Sequence, residues 1–146
     1  MGFAIHRSRT IISAMILGRR VTAQDVAWLR REVFATGVVT REEADELFAV
    51  ARADMNNAPE WKEFFVEMIV RHVVRQSEPA GVVGEERAAW LLTRVDECRS
   101  VEVLAALVNV LAEAVSVPEW LLDAGKARLS SGWPSAGPAL PAATTG

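Results

Sequence analysis

Residues 59–76, PEWKEFFVEMIVRHVVRQ, constrain the fold of this chain more than any other stretch. On a helical wheel Trp61, Phe65, Met68, Ile69 and Val73 make one apolar face, and Val66, Val70 and Val74 make a second beside it. Only Glu60, Glu63, Glu67, Arg71 and Arg75 form a stripe for water. A helix that is apolar most of the way round is wrapped by neighbours. The pattern therefore predicts a central buried helix with the rest of the chain packed around it.

Helix signals flank this segment on both sides. Thr22 with Asp25 reads as an N-cap with a carboxylate near the positive end of the dipole, and Val26, Leu29 and Val33 follow at helical spacing. That helix stops near Ala35, where Gly37 supplies a position that takes positive φ. Thr40 with Glu43 is a capping box and opens a second helix whose stripe is Ala44, Leu47, Phe48 and Ala51. After a linker at 53–58, Pro59 suits the first turn of the central helix. The loop 77–84 is punctuated by Pro79, Gly81 and Gly84. A fourth helix follows with Ala88, Leu91, Leu92 and Val95 inward, then a break at 96–99. Ser100 caps a fifth helix that carries no charge from Val103 to Ala112 and reads as a second interior element. Pro118 starts a last helix with Trp120, Leu121, Leu122 and Leu129, in which Gly125 is a weak point of ~1 kcal/mol against Ala. No strand is expected.

These elements make one all-α domain, a bundle of five or six helices over 22–130. A basic and apolar leader at 1–21 precedes it, and a disordered-type tail at 131–146 follows. A chain of 146 residues fits one domain, since domains most often run to ~100–150 residues. The apolar fraction of 51% supplies ample core. The run from Thr10 to Gly18 falls short of the ~18 apolar residues a membrane span needs. Arg19 and Arg20 stand where a signal-peptide cleavage site would be. Met15 offers an alternative start, which would leave residues 1–14 outside the native chain.

Residues 28–51 and 90–111 repeat a pattern. Trp28-Leu29 matches Trp90-Leu91, Thr40 matches Ser100, Glu42 matches Glu102, and Leu47 matches Leu107. The expected architecture is therefore two helix–turn–helix units joined by the central helix.

The candidate chemistry is sparse. There is no Walker loop, HExxH, Cys-x-x-Cys or GxSxG. The turn from Glu32 to Glu43 has the length and glycine position of a calcium loop, but Phe34 and Thr36 occupy places that need strong oxygen ligands. His72 has Arg75 and Gln76 at its helical neighbours, which makes it a core histidine bonded to a carbonyl or water. Arg94 and Arg99 near Cys98 would lower its pKa, although no histidine lies close in sequence to use the thiolate. Glu67 and Arg71 form a supporting i,i+4 pair. Trp133, outside any expected helix, reads as a short docking motif.

The stretch TGVVTREEADELF, residues 36–48, resembles the Asp-Gly-x-(Val/Ile)-(Ser/Thr)-x-x-Glu turn of TerB-like tellurite-resistance proteins. Asp96-Glu97 with Ser100 and Glu102 resembles a second, weakened copy. The resemblance covers residues 22–120. It implies a bacterial, stress-linked helical bundle whose acidic turns bind a divalent metal. Here Thr36 replaces the family's Asp in the first turn, and Glu97 its Gly in the second. The expectation is thus a non-enzymatic cytoplasmic protein without a cofactor, acting through protein–protein contacts. One alternative is a divalent-metal protein using Glu42, Glu43 and Asp96. Another is a nucleic-acid or membrane adaptor using Arg19, Arg20 and the other N-terminal arginines, Arg7, Arg9, Arg30 and Arg31. The formal net charge of −3 favours neither a polyanionic nor a polycationic partner.

Overall fold

A computed structural model describes residues 18, 20–53 and 55–133. Within them six helices form a single all-α bundle, and the nearest thing to a strand is an isolated bridge between Val82 and Ser116. Helix α1 spans Ala23–Trp28 and continues as a π-helical turn, Leu29–Val33. Helix α2 is Arg41–Arg52. Helix α3 is Pro59–Val70, extended by a second π-helical turn, Arg71–Arg75. Helices α4, α5 and α6 are Glu85–Cys98, Val101–Glu113 and Glu119–Ser130. Among the described residues no helix is long and apolar enough to cross a membrane.

Local chemistry sets these boundaries. Thr22 and Thr40 each accept from the backbone N–H three residues on, and Asp25 and Glu43 reach back to the threonine N–H. Both are complete capping boxes that satisfy donors the helix cannot. Gly37 takes φ +82°, the left-handed conformation that costs a side-chain-bearing residue ~1–2 kcal/mol. Helix α4 runs through Cys98, and the left-handed Arg99 (φ +50°) turns the chain directly into the Ser100 cap. The break expected over 96–99 is therefore a tight two-residue corner.

Contacts along the helices give their directions. Val21 and Arg30 meet Ala58 and Glu67, and Trp61 and Arg75 meet Glu102 and Glu113, so α1, α3 and α5 run parallel. Arg41 and Arg52 meet Glu86 and Glu97, and Glu85 and Asp96 meet Trp120 and Arg128, so α2, α4 and α6 run parallel as well. Phe48 lies against Phe65 while Arg41 lies against His72, which sets the second group antiparallel to the first. The bundle is thus two layers of three helices with α3 and α4 in the middle of each. Each expected helix–turn–helix unit sends one helix into each layer. In the first unit, α1 packs on α3 rather than mainly on its sequence partner α2.

The interior is continuous and centred on α3. Trp61, Phe64, Phe65, Met68, Ile69, Val70, Val73 and Val74 are all buried. Rings pass through it in sequence from Phe34 to Phe64, Trp61, Phe65, Phe48, Trp90 and His72, with centroids 5.1–6.1 Å apart. The core takes in Val21 at one end of the chain and Trp133 at the other, so the packed domain is slightly wider than 22–130.

Two expectations about the C-terminal half are corrected. Helix α5 buries only Val103, Ala106, Leu107 and Val110, and its other side is open, so it is not an interior element like α3. Helix α6 buries Leu121 and Gly125 while Trp120, Leu122 and Leu129 are exposed. A Cβ on Gly125 would meet Leu111 Cδ1 at 2.5 Å. This glycine therefore leaves room for the end of the Leu111 side chain, which would have to shift to admit alanine.

Phe65 lies fully buried between Phe48 and Trp61. Phe65→Ala is expected to cost ~3–5 kcal/mol in chemical denaturation, as a large-to-small core change; a cost below ~1 kcal/mol would contradict this placement.

Candidate functional site

A groove of about 460 Å³ lies on the outer face of the first layer, between α3 and α5. It occupies the water stripe of α3 foreseen in the sequence. Val66, Val70 and Ala105 make an apolar floor, and Lys62, Glu63, Glu67 and Asn109 make a polar rim. One end is closed by Arg75, whose Nε and Nη2 donate to Glu113 at 2.5 and 3.1 Å. The hydrogen bonds of this pair hold the guanidinium pKa above and the carboxyl pKa below their ordinary values. Glu67 is shared by Arg30 at 2.8 Å and Arg71 at 3.1 Å. The lining contains no His, Cys, Ser or Thr; its polar groups are Lys62, Glu63, Glu67, Arg75, Asn109 and Glu113.

A second polar cluster joins the two layers. His72 is buried in the π turn of α3, with Nδ1 3.0 Å from the Val39 carbonyl and Nε2 3.1 Å from Arg41 Nε. Gln76 pins the same Val39, accepting from its N–H at 2.8 Å and donating to its carbonyl at 2.7 Å. Arg41 lies over the Trp90 ring at 4.5 Å and binds both Glu86 oxygens at 2.8 and 2.9 Å. Trp90 Nε1 and Arg94 Nε both donate to Asp45 Oδ1. Nothing near His72 in sequence pointed to this arrangement, because its charged partner stands 31 positions away. The carbonyl expected to hold the histidine is present.

Two of the three residues proposed as metal ligands, Glu43 and Asp96, are otherwise engaged. Glu43 is buried and caps Thr40. Asp96 receives Arg128 through two bonds, at 2.9 and 2.6 Å. Glu42 is exposed on the first turn of α2. Among the described residues no group of three or more His, Cys, Asp or Glu side chains gathers to hold an ion. In the turn proposed as a calcium loop, Phe34 is buried edge-on to Phe64 and is a core residue.

Other expected sites also change character. Trp133 is not a free docking motif: it is buried, with Arg99 over its ring at 5.2 Å. Arg20 donates to the Asn56 carbonyl at 2.8 Å, and Arg31 pairs with Glu32. Arg7, Arg9 and Arg19 lie outside the described residues, as does most of the leader and tail. For Cys98 the expected direction is reversed. Burial pushes the thiol up to about 11, against the opposing charge of Arg52.

No family model matches the chain, and neither curated proteins nor solved structures give a match. Two outcomes check the reassigned residues. Cys98, with its pKa of about 11 against an ordinary 9.0, should be alkylated by iodoacetamide at pH 7.5 about 100-fold more slowly than free cysteine, in proportion to thiolate. Calcium, magnesium, zinc or manganese should leave the melting temperature unmoved, since an ion bound only by the folded state would raise it.

Proposed function

We propose that this chain is a non-enzymatic binding module that acts through contacts with another protein, made at the groove between α3 and α5. The observation that carries the reading is the groove's composition. An apolar floor of Val66, Val70 and Ala105 inside a polar rim matches the layout of protein interfaces, where an apolar centre is ringed by groups that stay wet. Three of its charges are already paired, Arg75 with Glu113 and Glu67 with Arg30 and Arg71, which leaves Lys62 and Glu63 at the rim for polar groups of a partner.

Kinship with TerB-like proteins belongs to the same proposal. It is supported by the Gly37 turn and the Thr40–Glu43 box, which take the conformations that a short capped turn requires. A single cysteine fits a reducing compartment and supports a cytoplasmic setting.

A photo-crosslinking amino acid at the exposed rim position Asn109 tests the groove inside cells. It should give a discrete protein adduct that is lost with Val66→Glu and is not formed from the exposed Thr93 on α4. No adduct from position 109, or the same adducts from both positions, overturns the reading.

A further inference from the structure

The buried imidazole is committed at both nitrogens. A carbonyl can only accept, so the Nδ1 facing Val39 O carries a proton. A guanidinium Nε can only donate, so the Nε2 facing Arg41 is bare. The two contacts fix the neutral Nδ1–H tautomer and tie together the π turn of α3, the 34–40 turn and the first residue of α2. The charged groups facing the ring are Arg41 and Asp45 from α2 and Glu86 and Arg87 from α4. Each is occupied: Asp45 by Trp90 and Arg94, Glu86 by Arg41, and Arg87 by the His72 carbonyl.

A proton added at Nε2 therefore finds no acceptor. It would point at the N–H of a permanent cation. We propose that His72 is an acid-operated latch: protonation of Nε2 expels Arg41 from the ring and releases the N-terminal end of α2 from α3, while Val39, still held by Nδ1–H and by Gln76, and the rest of the bundle stay in place. Arg41 has a place to go, because it keeps both Glu86 oxygens and the face of Trp90. This holds whatever occupies the groove. Burial is the largest influence on the ring, and with the charges of Arg87 and Arg41 it outweighs the Val39 bond and holds the pKa below the ordinary 6.5. The latch is thus closed at and above that value and loses its hold as pH falls from there through the lower, folded-state pKa.

The test uses the full chain with His6→Gln, which leaves His72 as the single imidazole. Imidazole 15N NMR at pH 7.5 should show Nδ1 protonated and Nε2 bare; the opposite tautomer or an imidazolium overturns the proposal. Amide exchange at residues 41–44, corrected for intrinsic rate, should stay level from pH 7.5 to about 6.5 and rise from there to pH 5.0 by up to about tenfold per pH unit, the limit for one linked proton. Amides of α5 should not follow. His72→Gln, which cannot take up the proton, should flatten the dependence. Exchange independent of pH, an equal rise in the Gln variant, or an equal rise throughout α5 each overturns the latch. Should His72→Gln not fold, Arg41→Gln is expected to raise the His72 midpoint by removing the facing cation, and an unmoved midpoint counts against the proposal.

Discussion

The run of rings from Phe34 to His72 is the constraint on which the rest of this structure depends. Large aromatic side chains supply much of a core's buried area, and their edge-to-face contacts are directional as well as apolar. Here the run crosses from the turn after α1, through three rings of α3, to α2 and α4. One continuous contact therefore positions four segments of the chain relative to one another. The next-to-last ring at each end carries a cation: Arg30 lies over Phe64, and Arg41 lies over Trp90. The interior thus grades into solvent through cations stacked on ring faces.

Charged residues in this bundle mostly serve the fold. Glu43 and Asp25 complete caps, Asp96 holds Arg128, and Asp45 receives both Trp90 and Arg94. Exposed ion pairs contribute little individually, typically ~0–1 kcal/mol. Their more important effect is to fix which helix lies beside which, because most of them join two elements. What they leave unfilled is the stripe along α3, where Val66 and Val70 lie below Lys62, Glu63 and Asn109. The groove exists because α3 has no helix on that side.

What was legible in the sequence is what local chemistry decides. Both capping boxes, the Gly37 turn, the Pro59 start and the near-total burial of α3 follow from residues within a few positions of each other. The layered arrangement was not legible, and the misreadings trace to it. Helix α5 looks interior by composition, yet it borders the groove and keeps one side wet. Trp133 looks stranded in a tail, yet the chain reverses after α6 and brings it under Arg99. Glu42, Glu43 and Asp96 look like a set because they recur in similar turns, but caps and an arginine claim the two that are engaged. The Arg41–His72 contact joins residues too far apart in sequence for any spacing rule to find.

The alternation of helix direction has an electrostatic consequence. Each layer aligns three peptide macrodipoles side by side, and the opposite layer reverses them. Acidic groups sit at the positive ends: Asp25 and Glu60 in one layer, and Glu43, Glu85 and Glu119 in the other. Opposed in this way, the dipoles cancel at distance while remaining strong close to each helix terminus. At a distance the field of the molecule is therefore set by its side-chain charges, and the helix dipoles are felt only beside the helix ends.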